Sequence, residues 1–190
     1  MSLEKALSSF DHRQRLTANA VYDLPFARNP SGWLHHALGG WRATGILTVQ
    51  SGAPFTVNLS SAANENVSPI GLVSGNNLER PNLIGNPNSG SQTPAAWFNT
   101  AAFALPAQNT YGTAGRNVVT GAGLTTLDLS LQKETTLRER LKAQFRFDAY
   151  NSFNHSNFNL PGRIFGAANF GVISSAGDPR QIQMALKVFY

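Results

Sequence analysis

Four histidines and ten carboxylates are the side chains that would carry acid–base or metal chemistry in this chain, and it has no cysteine. Thiolate ligands and disulfides are therefore excluded. His35 and His36 are adjacent, so on a regular strand they point to opposite faces, and no carboxylate lies close to them in sequence. They do not make a metal site. His155 stands in the run Asn151-Ser152-Phe153-Asn154-His155-Ser156-Asn157, which reads either as a ligand-contacting loop or as turn chemistry at a strand end. Turn chemistry is the stronger reading, because Asn side chains satisfy local backbone groups. There is no Gly-x-Ser-x-Gly elbow, no His-Glu-x-x-His helix and no phosphate-binding glycine loop. No catalytic residue, cofactor or metal is expected, and the chain is not expected to be an enzyme.

Charge is scarce. Only 13% of the 190 residues are charged, against about 25% in an ordinary soluble domain. The apolar share is a modest 42%, so amides and hydroxyls fill the gap, with 18 asparagines. The formal charge of +5 comes from arginines spread along the whole chain, without the basic tract that a nucleic-acid partner requires. No apolar run approaches the roughly 20 residues of a membrane-spanning helix, and residues 1–10 have no apolar segment of a signal peptide. The Asn-rich stretch Asn64 to Asn99 has the composition of an adaptable polar binding loop, and equally of a solvated, uncommitted one.

The elements that position these side chains are strands. From Leu141, residues Leu141, Ala143, Phe145, Phe147 and Ala149 share one face, and Lys142, Gln144, Arg146, Asp148 and Tyr150 the other. Ile182, Met184, Leu186 and Val188 alternate with Gln181, Gln183, Ala185 and Lys187, and Leu127, Leu129 and Leu131 with Asp128, Ser130 and Gln132. Weaker alternation runs through Arg13 to Leu24 and through Trp41 to Leu59, the latter across a Ser51-Gly52-Ala53-Pro54 break. The expectation is an all-β antiparallel meander of about five long strands, near residues 12–24, 41–59, 124–133, 141–151 and 181–190.

Such strands match the roughly 9 to 11 residues that cross a bilayer at a tilt. The expected connections are very unequal, with long loops at 60–123 and 152–180 and a short turn between the third and fourth strands. Outer-membrane barrels have that asymmetry of rims, whereas long loops are uncommon in compact soluble domains. In a barrel, Leu127, Leu129, Leu131, Phe145, Phe147, Ile182, Met184, Leu186 and Val188 face lipid, and the polar set Asp128, Lys142, Arg146, Asp148 and Lys187 faces the lumen. Mutual pairing of those charges outweighs a ligand site. Trp33 and Trp41, near the short-turn end, suit an interfacial aromatic girdle or ordinary packing. The same alternation also fits a soluble secreted β-sandwich that binds polysaccharide or a cell surface through its Asn-rich loops.

Six blocks in order carry a family resemblance. They are Ser9-Phe10-Asp11-His12-Arg13-Gln14-Arg15-Leu16 with Tyr22-Asp23-Leu24-Pro25-Phe26; Gly40-Trp41-Arg42 leading to Gln50-Ser51-Gly52-Ala53-Pro54-Phe55; and Tyr111-Gly112-Thr113-Ala114-Gly115-Arg116-Asn117. Then come Leu127-Asp128-Leu129-Ser130-Leu131-Gln132-Lys133; Phe145-Arg146-Phe147-Asp148-Ala149-Tyr150-Asn151-Ser152-Phe153-Asn154-His155; and Asn169-Phe170-Gly171-Val172-Ile173 with Asp178-Pro179-Arg180-Gln181-Ile182-Gln183-Met184-Ala185-Leu186-Lys187. Together they resemble the C-terminal barrel region of Oar-like TonB-dependent outer-membrane receptors, a group that often carries an N-terminal carboxypeptidase-regulatory-like domain. Two departures stand out. Ala122 occupies a position where the family commonly has Pro, and the chain ends Phe189-Tyr190 rather than in Phe.

The resemblance implies that residues 1–190 are part of a transmembrane barrel in the outer membrane of a Gram-negative-type cell, surrounded by outer-membrane lipid. It implies that Tyr190 is the terminal aromatic read by the barrel-assembly machinery. It further implies a parent receptor that imports a ligand with energy from the TonB system, engaged only through N-terminal parts. No plug domain or TonB box is recognisable in these residues, and the resemblance does not name the ligand.

Overall fold

The structure, a computed structural model, describes residues 4–25, 39–60, 79–138 and 140–190. Trp33, His35, His36 and the stretch from Asn64 to Asn77 lie outside the described residues. In chain order the strands are β1 (Arg15–Asp23), β2 (Trp41–Gln50), β3 (Pro54–Phe55), β4 (Asn58–Leu59), β5 (Asn82–Leu83), β6 (Phe103–Ala104), β7 (Val119–Thr120), β8 (Leu124–Arg138), β9 (Leu141–Tyr150), β10 (Ile164–Phe165) and β11 (Gln181–Phe189). They belong to two compact units.

The first unit is a single five-stranded sheet in the order β1-β2-β8-β9-β11. Each strand pairs antiparallel with its neighbour. The fold is the all-β antiparallel meander that the alternation implies. The five strands hold 9, 10, 15, 10 and 9 residues, lengths that reach across a bilayer where the usual strand of about 5 or 6 residues does not. One register irregularity, between Thr136 and Arg138, lies at the end of β8 just before the turn into β9.

The second unit takes its described residues from the N-terminal stretch to Gln14 and from the segments 51–123 and 158–177. Three short ladders organise it: β3 with β7, β5 with β6, and β4 with β10, the last of them parallel. Its core is aromatic. The Phe98 ring meets Phe170 at 5.1 Å, Phe55 at 5.9 Å and Phe103 at 6.0 Å between centroids, all edge to face, the arrangement that aromatic quadrupoles favour. Val57 and Val119 are fully buried beside them.

Two expectations change here. The alternation predicts a second long strand over 41–59, but β2 ends at Gln50, and Phe55, Val57 and Leu59 leave the sheet and bury themselves in the second unit. Their alternation is real, but it points into a small protein core. Likewise the described parts of 60–123 and 152–180 are not uncommitted loops: they carry β5, β6, β7 and β10 around the phenylalanine cluster.

Amides replace regular secondary structure as the partners of the backbone in this unit. Asn86 and Asn99 cap the 3₁₀ turns Pro87–Ser89 and Thr100–Ala102, accepting from the backbone N–H of Asn88 at 3.0 Å and of Ala101 at 3.1 Å. Asn88 clasps one peptide on each side of β7's start, donating to the Val118 carbonyl at 2.8 Å and accepting from Thr120 N at 3.0 Å. At Gly112 a Cβ would lie 1.9 Å from the Arg80 carbonyl oxygen, so only glycine fits there.

Because Phe98 packs against three rings, Phe98→Ala should destabilise the second unit by about 3–5 kcal/mol. Hydrogen exchange reads the outcome. The amides of Ile84 and Ala114, bonded to Ala102 and Pro81, should lose protection, while those of β8 and β9 keep theirs.

Candidate functional site

The site with functional potential is the five-stranded sheet itself, because its register sorts side chains into two chemically opposite faces. Residues opposite one another across antiparallel seams share a face. One face carries the rows Ala20, Gly45, Leu129, Ala149, Ile182 and Tyr22, Ala43, Leu131, Phe147, Met184. Rows with Leu16 and Val49, with Ala18, Leu47 and Leu127, with Phe145 and Leu186, and with Ala143 and Val188 extend it. All nine residues expected to face lipid stand on this side. Much of it is bare: Leu16 is 57% exposed, Met184 67% and Leu186 71%.

The opposite face carries the rows Val21, Thr44, Ser130, Asp148, Gln183 and Asp23, Arg42, Gln132, Arg146, Ala185, followed by Glu134, Gln144, Lys187. The five residues expected to face the lumen share this side, and the structure shows what four of them do. Arg146 Nε lies 2.9 Å and 2.8 Å from the two carboxylate oxygens of Asp148, a pair within one strand. Asp148 is almost fully buried and also takes the Ser130 hydroxyl. Lys142 Nζ lies 3.3 Å from Glu134 Oε1. Asp128 turns from ion pairing to a cap, accepting from the Asn151 backbone N–H at 2.9 Å. Arg42, opposite Asp23 on β1, donates to it from Nε at 2.6 Å and from Nη2 at 3.4 Å. The charges are spread along the face in local pairs and do not converge on one point.

The strand-end run after β9 is a knot of asparagines. Asn151, at φ +47°, accepts from His155 N at 3.0 Å and donates to the carbonyls of His155 at 2.9 Å and Asp178 at 3.2 Å. Asn154 accepts from Arg180 N at 2.9 Å, and the buried Asn157 accepts from Thr125 N at 2.8 Å and lies 3.2 Å from His155 Nδ1. Three amides thus join the start of β8, the end of β9 and the approach to β11. His155 is a member of that knot, as turn chemistry requires.

At the other end of the sheet the Gly40-Trp41-Arg42 block has three separate duties. Gly40 sits at φ +75°, and a Cβ there would lie 2.7 Å from the Glu134 carbonyl oxygen, so the chain enters β2 only with glycine. Trp41 packs edge-on to Phe145 at 6.2 Å, with Lys133 Nζ 5.2 Å from its ring centroid. Arg42 makes the pair with Asp23.

Lys133 was not expected among site residues. The alternation predicts a strand that ends at Lys133, but β8 runs on to Arg138, and Lys133 stands opposite Trp41 and Phe145 on the apolar face. Its parity with Leu131 was the available signal. Its Nζ donates to the Gly39 carbonyl at 2.8 Å, bending away from the apolar rows.

Among known proteins, a family model described as an outer membrane beta barrel domain matches residues 1–183. No curated protein and no solved structure matches the chain.

If the apolar rows meet lipid, Phe147→Arg or Leu129→Arg should cost about 2–4 kcal/mol in a bilayer-folded barrel that contains this sheet, and Ser130→Arg much less. Reversible unfolding from vesicles measures both, and equal costs on the two faces would argue against lipid contact. Asn151→Ala removes three side-chain hydrogen bonds and puts a Cβ-bearing residue without an amide at positive φ, with an expected loss of about 2–4 kcal/mol. Asn151→Gly should recover part of that loss in the same assay.

Proposed function

The chain belongs to the outer-membrane β-barrel domain family, and from that premise we propose that its sheet is a stretch of the wall of an Oar-like TonB-dependent receptor. In its parent the wall contributes to uptake of a ligand across the outer membrane. The observation that carries this reading is the register: four consecutive seams keep one face apolar and the other polar over strands of membrane-crossing length. A soluble sandwich would bury the apolar rows under a second sheet. The exposure of Leu16, Met184 and Leu186, together with the family, replaces that alternative with an outer-membrane protein.

Five strands do not close a barrel, since the smallest bacterial single-chain barrels have about eight. The free edges of β1 and β11 are therefore read as seams to further strands, because an unpaired edge in hydrocarbon strands its N–H and C=O groups. The Oar-like assignment is supported by the distinct structural duty that falls to residues of four of the six shared blocks: Gly40, Trp41 and Arg42 at the entry to β2, Gly112 against Arg80, Asp148 and Asn151 around the end of β9, and Phe170 in the aromatic core. In this reading Tyr190 engages the barrel-assembly machinery, TonB acts through N-terminal parts of the parent, and the wall binds and passes a ligand without catalysing a reaction.

Genetic epistasis tests the transport role. Deleting the coding region should lower competitive fitness under at least one scarce-nutrient condition in a strain with intact TonB, and should cause no further loss in a strain without TonB. An equal loss in both strains would remove the TonB assignment while leaving the outer-membrane wall intact.

A further inference from the structure

Resting on the wall reading above, we propose that the polar face of the sheet, at the end where β1 begins and β2 ends, binds an uncharged polyhydroxylated ligand, an oligosaccharide. In a barrel this is the rim from which the long connections leave, the extracellular one. The register sets Thr17, Thr48 and Thr126 side by side across β1, β2 and β8, next to the row of Arg15, Gln50 and Leu124. On the same face Tyr150 stands opposite Gln181, and Gln183 follows opposite Asp148. Among the described residues, the side chains of Thr17, Thr48, Thr126, Tyr150, Gln181 and Gln183 make no hydrogen bond.

The charges of this face are spent elsewhere. Asp23 pairs with Arg42, Asp148 with Arg146 and Glu134 with Lys142. Arg15 and Asp128, which flank the threonine row on either side, are of opposite sign, so a ligand charge of neither sign is favoured between them. What stays open is neutral. Hydroxyls and primary amides both donate and accept, as the hydroxyl groups of a sugar do, whereas an ion requires converging charge of one sign. Strands lie about 4.8 Å apart, so the threonine row offers hydroxyls over about 10 Å. A chain of sugar rings fills that length and a monosaccharide does not. Tyr150 is 43% exposed and adds an aromatic surface for the C–H side of a ring, with a phenol to bond its hydroxyls.

The test uses the whole receptor that contains this sheet, in the outer membrane of the cells that encode it. Competitive growth of the deletion strain is measured on limiting neutral oligosaccharides of glucose, xylose, mannose and galactose, and in parallel on limiting iron chelates and phosphate esters. The TonB-dependent loss should fall on a neutral oligosaccharide. With that sugar limiting, the T17V/T48V/T126V variant, which keeps side-chain shape and removes the hydroxyls, should take up the labelled sugar several-fold more slowly at equal receptor level. The T17S/T48S/T126S variant, which restores the hydroxyls, should recover most of the uptake. Should the valine variant fail to reach the outer membrane, the single variants T48V and Q181L decide, each with an expected several-fold slowing. Uptake unchanged in the valine variant, or in both single variants, would refute the site. Valine and serine variants that are equally slow would refute it too, since only packing would then be at stake. A TonB-dependent loss confined to iron chelates or phosphate esters refutes the oligosaccharide and leaves the receptor reading intact. No TonB-dependent loss on any nutrient removes the receptor reading, and this site with it.

Discussion

Hydrocarbon offers no hydrogen bonds, so a strand that crosses it has every N–H and C=O paired with a neighbouring strand, and the register of that pairing decides which side chains meet lipid. Every other feature of the sheet follows from this constraint. Ala149 stands between Leu129 and Ile182; a slip of one residue in β9 would carry Asp148 into that apolar row and send Phe147 to the charged side. The irregularity at Thr136 to Arg138 is tolerated because it lies past Lys133, beyond the rows that need strict parity.

Scarcity of charge has two separate physical sources. On the sheet, half of the side chains face an apolar surface where a charge would be costly, and Lys133, which stands within those rows, carries its ammonium to a backbone carbonyl. In the second unit the asparagines do not chiefly solvate a surface. Asn82, Asn86, Asn88 and Asn99 pair with peptide groups that short ladders leave unmatched, a duty that a charged side chain would perform only with a heavier desolvation cost.

The long strands were legible because alternation over nine or more residues has one geometric meaning. β9 and β11 could be read to within a residue or so, and the faces of Leu129, Phe147, Asp148 and Lys187 followed from parity alone. Alternation also misled, since Phe55, Val57 and Leu59 keep period two while turning into a different core. The phenylalanine cluster left no mark in the sequence. Phe98, Phe103, Phe165 and Phe170 have no common period, and contacts between distant segments bring them together. Lys133 was hidden for a simpler reason: a charge at a strand's apparent end looks terminal until the strand is seen to continue.

The short ladder of β3 with β7 has a kinetic meaning. β8 and β9 pair across a tight turn, but Gln50 finds Leu124 only after the whole of 51–123 has been laid down. Closing a loop grows costlier by about 0.6 kcal/mol for each doubling of its length, and non-local pairing is correspondingly slow. The pairing of Pro54 with Thr120 and Phe55 with Val119, extended by the bond from Gly121 N to the Ala53 carbonyl at 2.9 Å, already brings the ends of that segment together. Once the phenylalanines collapse, the chain between β2 and β8 behaves as a hairpin of a few residues. The most distant seam of the sheet can then zip at the speed of a local one.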